Sequence, residues 1–259
     1  MTLALHVEPA ATPPLAPLLA SVPHFTPASI RANTVVPEHL LVLGGDAQSC
    51  ATAQAYRRLG ADVTIAVPGL LLPEEDRELV GVLRAAFVED GIAVLERARV
   101  AHLESRSGRV NAYLRRGSVL QGLEASHVLA APAPAARRRP AVRPWSGTPV
   151  RVVRTDPVLA HAGLDTRRAR HAGAELRILR GMADGADSGG RHHIKATCTA
   201  SGTLLGVTIV GACAFEHLQP WILALDAGLD IDALVCLPRV AGWFARAADA
   251  GGPLRVTTH

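Results

Sequence analysis

The run Glu38-His39-Leu40-Leu41-Val42-Leu43-Gly44-Gly45-Asp46-Ala47-Gln48-Ser49 decides the fold. Its apolar half, His39 to Leu43, is short and unbroken, as in a parallel strand buried on both faces. Gly44-Gly45 ends that strand and permits a tight turn. A helical stretch from Gln48 to Leu59 follows and stops at Gly60, a suitable residue just past a helix end. Ala61-Asp62-Val63-Thr64-Ile65-Ala66-Val67 then reads as a second strand. Strand, tight turn, helix and strand together make the unit from which nucleotide-binding half-sheets are built.

Outward from this unit, Pro73 to Asp90 is predicted helical, with acidic residues near its start and Leu79, Leu83 and Phe87 repeating on one face. Ile92 to Leu95 reads as a third strand, and shorter strands are expected at Arg109–Leu114 and His127–Ala131. Residues 1–21, with Pro13, Pro14 and Pro17, read as a flexible or partly extended leader. Residues 22–131 form the expected first domain. Residues 132–148 carry Pro132, Pro134, Pro140 and Pro144 beside Arg137-Arg138-Arg139 and read as a linker.

Residues 149–259 form the expected second domain. Strands are predicted at Val150–Arg154 and Leu176–Leu179, with a helix at Thr166–His171 between them. A hairpin over His193–Thr199 and Leu204–Val210 turns at Ser201-Gly202. A helix from Ala214 to Ala227 contains Pro220, which must lie in its first turns or kink it. Further helices are expected near Asp230 and over Ala241–Ala250. Two α/β pieces around separate cores follow from this order.

Composition narrows the class. Of the 259 residues 49% are hydrophobic and 19% charged, which excludes a disordered chain. Aromatics are only 3%, so the core must rest on Ala, Val and Leu. Lys plus Arg number 27 and Asp plus Glu 23, a net +4 too small to call for a nucleic-acid partner. The arginines at 137–139 read as a solvated linker, an anionic partner being the alternative. No apolar run reaches membrane-spanning length, and Cys50, Cys198, Cys213 and Cys236 form no CxxC pair. Reduced thiols in a cytoplasmic protein are expected.

With these residues in place, the chain resembles the flavin-dependent pyridine-nucleotide-disulfide oxidoreductases of class I, the family of dihydrolipoamide dehydrogenase and mercuric reductase. Residues 22–131 are similar to the family's central domain through Pro37 to Gly45, Ala53 to Thr64, and Leu72-Pro73-Glu74-Glu75-Asp76. Residues 149–250 are similar to its C-terminal interface domain. The matching residues there are Thr155-Asp156-Pro157, Gly163-Leu164, Lys195, Leu205-Gly206, Val210-Gly211, Glu216 and Ala224 to Leu229. The mercuric reductase branch looks nearest. The resemblance implies an α/β fold: a Rossmann-like NAD(P)-binding domain followed by an α+β interface, or dimerisation, domain.

The same resemblance assigns cofactor-binding positions to Gly44, Gly45, Asp46, Ala47, Gln48, Ser49 and Val67. A pyrophosphate needs small residues there, so that backbone N–H groups at a helix N-terminus can reach it. Gly44 fills the first glycine place, Asp46 stands at the second and Ser49 at the third. Asp46 brings a negative charge beside the phosphates, so a turn that binds nothing stays open as the alternative. The acid that would hold the NAD ribose is replaced by Val67, and no nearby Arg or Lys argues for NADP.

The family's catalytic His and Glu are replaced by Leu237 and Gly242, so no catalytic residue is assigned. The redox cysteine pair and the flavin-binding segments are also not found in this sequence. His192-His193 reads as a solvated loop edge, Glu216-His217 as surface or interface, and Cys50 as inert core; no metal site is expected. FAD belongs to the family, NAD(P)H fits the chain, and a separate FAD-binding chain would be the implied partner. A homodimer through residues 149–259 is expected, because Leu204, Leu205, Ile209, Trp221 and Ile222 would otherwise be bare. The alternative function is a non-catalytic nucleotide-binding and homodimerisation module.

Overall fold

The computed structural model describes residues 4–6, 15–131, 147–171, 173, 175–184, 191–236 and 257–258. They divide into two compact units: Met1–Pro73 with Arg84–Arg137, and Glu74–Leu83 with Arg138–His259.

The first unit begins with β1 (Ala4–His6) and α1 (Leu15–Leu19). It continues with β2 (His39–Leu43), α2 (Ala47–Arg58), β3 (Asp62–Val67) and α3 (Arg77–Glu89), whose residues to Leu83 are grouped with the second unit. Then come β4 (Ala93–Glu96), β5 (Arg99–Arg106), β6 (Arg109–Arg116), β7 (Val119–Ala125) and β8 (His127–Ala130). β4, β3, β2 and β8 form a parallel sheet in that order. β2 is central, and its Leu40, Leu41 and Val42 are wholly buried, as the unbroken apolar run requires.

A second sheet, antiparallel, has the order β1-β7-β6-β5. Between the sheets lies a core of Leu41, Leu43, Leu103, Val110, Ala112, Leu114, Ala125 and Val128. Leu41 and Leu43 face this core, so alternation turns Leu40 and Val42 to the opposite side of the parallel sheet. On α2 the buried face carries Cys50, Ala53, Gln54 and Tyr56. The Tyr56 hydroxyl reaches the Ile30 carbonyl at 3.2 Å, which satisfies its polar end.

The antiparallel sheet departs from expectation. The sequence pattern announces neither β5 nor β7, and the leader expected to residue 21 contains β1, paired to β7, and α1 with a buried Leu19. β5 reads Arg-Val-Ala-His-Leu-Glu-Ser-Arg, so only one face of it is apolar, and a bulge between Val100 and His102 breaks the alternation. α3 also starts later than expected, at Arg77 rather than Pro73. The Asp76 carboxylate caps it by accepting from Glu78 N at 3.0 Å and Leu79 N at 3.3 Å.

The second unit holds β9 (Val150–Val153), β10 (Val158–Gly163), α4 (Thr166–His171), β11 (Leu176–Asp184), β12 (Arg191–Thr199) and β13 (Leu204–Gly211). It ends with α5 (Ala214–Asp226), α6 (Ile231–Val235) and β14 (Thr257–Thr258). Its sheet runs β14-β11-β12-β13-β10-β9, with antiparallel pairing throughout. β10 is also absent from the expected elements: its Ala160, Ala162 and Gly163 are weak strand formers, held there by complete burial. Pro220 is the seventh residue of α5, inside the helix, and gives the Glu216 carbonyl no donor at i+4.

The apolar side of this sheet packs on α5 and α6 through Leu179, Ile194, Val207, Leu218, Trp221 and Ile231. That packing corrects an expectation about self-association. Leu204, Ile209, Trp221 and Ile222 are buried within the unit itself, covered by its own helices. Among the described residues, the large apolar side chains it leaves exposed are instead Leu164, Met182, Phe215, Leu223 and Leu229. The linker core at 132–146, the Leu237–Gly242 segment and the helix expected over 241–250 lie outside the described residues.

Candidate functional site at the head of helix α2

β2, β3 and β4 point their carboxyl ends at one rim of the parallel sheet. β2 lies between β3 and β8, so the strand order reverses beside it, the place where open α/β sheets take ligands. The turn from Gly44 to Ser49 sits at this rim.

Both glycines are explained by close approach. A Cβ on Gly44 would lie 2.6 Å from the Ala131 carbonyl oxygen, and one on Gly45 would lie 2.5 Å from Val67 Cγ1. The Gly45 carbonyl accepts from Leu72 N at 2.8 Å, so the segment after β3 folds back over the turn. Val67 is buried beneath it.

Asp46 is the N-cap of α2. Its Oδ1 accepts from Ser49 N at 2.7 Å, which satisfies one of the helix's orphan donors. A carboxylate of the chain therefore holds an N–H that a phosphate would seek. Ser49 Oγ is buried and has no hydrogen-bond partner among the described residues. Gln48 reaches the Pro27 carbonyl at 3.4 Å. Ala47 opens the helix. Cys50, one residue past Ser49, is wholly buried; burial first, and the Asp46 charge second, push its thiol pKa upward, so it is an inert thiol.

Sequence reasoning missed Glu96. It pairs in register with Val67, so a carboxylate does stand at this rim, one strand over. That carboxylate is engaged: Oε1 accepts from Leu71 N at 2.7 Å and Oε2 pairs with Arg84 at 3.1 Å. The available signal is the acidic end of the third strand, which runs one residue past the Leu95 expected from the sequence.

Elsewhere the expectation of a solvated edge at His192 is corrected. Its side chain is buried, and the Gly211 backbone lies so close to the ring that a Cβ there would collide with Cδ2. His192 meets His217 edge to face at 4.8 Å between centroids. Burial lowers the pKa of both His192 and His193, so both stay neutral more readily than a free imidazole. Among the described residues no group of three His, Cys, Asp or Glu side chains is arranged to hold a metal. No described helix is long and apolar enough to cross a membrane.

Comparison with known proteins agrees with this geometry. Residues 39–114 match the family model described as pyridine nucleotide-disulphide oxidoreductase. Mercuric reductase of Acidithiobacillus ferrooxidans is 35% identical over 98 residues, 38% of this chain and 18% of that one. Dihydrolipoyl dehydrogenase of Thermus scotoductus is 32% identical over 87 residues, 33% of this chain and 19% of that one. The aligned region thus spans under a fifth of these two relatives.

Among solved structures, the HOCl-induced flavoprotein disulfide reductase RclA of Escherichia coli covers 88% of this chain and 66% of its own, at TM-score 0.66 and 18% identity. LpdA of Mycobacterium tuberculosis covers 93% and 68%, at TM-score 0.67 and 19% identity. At these identities the structures show the fold alone, a mixed α/β architecture with one parallel and two antiparallel sheets. Over residues 39–114 the chain is thus similar to the pyridine nucleotide-disulphide oxidoreductases. Within that class its matched relatives include both mercuric reductases and dihydrolipoyl dehydrogenases.

Proposed function

We propose that this chain contributes the NAD(P)H-binding and interface parts of a flavin-dependent oxidoreductase of the mercuric reductase type. It would pass electrons from NAD(P)H through FAD where a flavin domain is supplied elsewhere. Bound FAD supplies the ring that receives hydride from the nicotinamide. The observation that carries the reading is the Gly44–Ser49 turn at the strand-order reversal, heading a 12-residue helix. Gly44, Gly45, Ala47, Gln48 and Ser49 would bring backbone close to the pyrophosphate, with Val67 flooring the site. Self-association would use the apolar side chains exposed on the second unit, Phe215, Leu223 and Leu229.

A second reading, a non-catalytic nucleotide-binding and self-associating module, is favoured by Leu237 and Gly242, which stand where the resemblance places the catalytic His and Glu. In either reading the Asp46 carboxylate competes with a phosphate for the Ser49 N–H, and the neighbouring Glu96 is already engaged. An absorption spectrum with and without added FAD separates the two. Flavin bands that persist after desalting and bleach with NADPH support the first reading. Calorimetric binding of NADPH or NADH without flavin retention supports the second. Neither flavin retention nor nucleotide binding overturns both.

A further inference from the structure

The sheet of the second unit has two unlike faces. One is the apolar face under α5. The other carries a polar line that crosses five strands in register. Arg180 on β11 faces Lys195 on β12, Lys195 faces Thr208 on β13, Thr208 faces His161 on β10, and His161 faces Arg151 on β9. Directly opposed residues share a face, so these five side chains form a single row.

Acidic residues of the same unit cover that row. Lys195 Nζ meets Asp76 Oδ2 at 2.8 Å and Glu78 Oε2 at 3.1 Å. Arg180 meets Glu78 at 2.6 Å, and Arg151 meets Glu75 at 2.9 Å and the Glu74 carbonyl at 3.1 Å. At the margin Arg168 of α4 pairs with Glu74 at 2.7 Å and with Asp165 at 3.5 Å. The Lys195 and Asp76 side chains are only 9% and 8% exposed, so removing one partner would leave the other buried without its ion pair.

We propose that residues 74–78 form an acid-released latch on this sheet. While Glu78 is ionised it neutralises Arg180 and Lys195 and holds the segment Glu74–Leu83 down; protonation lets it go. Two features make acid the release signal. The Glu78 carboxylate faces Lys195 and Arg180 and loses that attraction on protonation. His161 lies in the row between Arg151 and Lys195 and gains charge in the same direction.

His161 is held neutral by its partners. Nδ1 accepts from the Thr208 hydroxyl at 2.8 Å, and Nε2–H donates to the Gly163 carbonyl at 3.0 Å. Protonation would remove the acceptor that Thr208 uses and set a cation between two others. Burial, then the Arg151 charge, lower the His161 pKa to about 4, against the opposing pull of the Gly163 carbonyl, Asp165 and Asp76. Burial raises the Glu78 pKa, but hydrogen bonds and charge from Arg180 and Lys195 outweigh it and leave the group below its ordinary value. Both groups therefore take up a proton below their ordinary ranges, His161 at about 4 and Glu78 below the usual carboxylate value.

Hydrogen exchange read by mass spectrometry on the full chain tests the latch, with intrinsic rates corrected for pH. At about pH 3, peptides over 79–83 and 191–199 should lose roughly tenfold or more of their protection at pH 7, the scale of one charged hydrogen bond. Peptides over 39–43 should keep theirs. Lys195→Met should show the same selective loss at neutral pH. Arg180→Gln, at the exposed rim, should move release to higher pH and serves if the first variant does not fold. Unchanged protection over 79–83 in acid, or loss only in step with 39–43, overturns the proposal.

Discussion

Replacing Asp46 with Asn should raise affinity for NAD(P)H while leaving the fold in place. Asn is as good an N-cap as Asp and can still accept from Ser49 N, now 2.7 Å from the Asp46 carboxylate. A phosphate oxygen that shared this helix start would lie within about 4 Å of that carboxylate. Two unit charges at about 4 Å repel by about 1 kcal/mol in water and about 4 kcal/mol at an effective dielectric near 20. The lower figure alone is about fivefold in affinity. The cost is the carboxylate's interaction with the helix dipole, about 0.3–1 kcal/mol. Calorimetric titration of wild type and Asp46→Asn with NADPH and NADH measures the gain, and urea unfolding measures the cost. Equal affinities for the two proteins at low salt would refute the argument that Asp46 obstructs the turn. Absence of binding by both would remove the turn from the nucleotide site altogether.

The other expectations are local. Between about pH 6.5 and about pH 4 the unfolded chain binds a proton at His161 that the folded chain refuses, so this group's contribution to stability falls as pH falls. The full interval corresponds to about 3 kcal/mol, and His161→Gln should flatten the pH dependence of urea unfolding over it. Cys213 and Cys236 are exposed while Cys50 and Cys198 are buried, so two of the four thiols should react quickly with a water-soluble disulfide reagent in the native state. Burial pushes the Cys198 thiol up to about 12, so it should label only on unfolding. Trp221→Ala should cost about 3–5 kcal/mol in urea unfolding, since the ring is buried in the core under α5. Gly206→Ala should abolish folding of the second unit, read by circular dichroism, because a Cβ there would collide with the Leu164 backbone carbonyl.

The β2–α2–β3 unit was legible in sequence because its signals are local. An unbroken apolar run, two glycines and a helix of buried Ala and Cys leave no competing pattern over residues 39–67. β5, β7 and β10 were not legible for a different reason. Arg99–Arg106 and Val119–Ala125 each bury one face only, and Val158–Gly163 is rich in Ala and Gly; their strand state comes from neighbours brought from elsewhere in the chain. At the candidate site the residue types were readable, but their engagements were not. That Asp46 caps α2 could be argued from its place before a helix; that Glu96 is spent on Leu71 and Arg84 depends on a chain reversal. The apolar side chains of the second unit misled in the opposite sense, because Trp221 and Ile222 are covered by the unit's own core rather than left for a partner.

The cap at Asp46 has an evolutionary side. Glycine at a helix N-cap costs only a few tenths of a kcal/mol relative to the preferred residues, so an Asp46→Gly form should fold. Every aspartate codon becomes a glycine codon by a change in its middle base alone. Such a change would extend the Gly44-Gly45 pair to three consecutive glycines ahead of Ala47-Gln48-Ser49. It would leave the helix start uncharged and its Ser49 N–H free for an anion. The difference between a self-satisfied turn and a phosphate cradle is thus a single base, crossed in either direction with little penalty to folding. Weak ligand pressure would suffice to move this chain from one state to the other, and relaxed pressure would suffice to move it back.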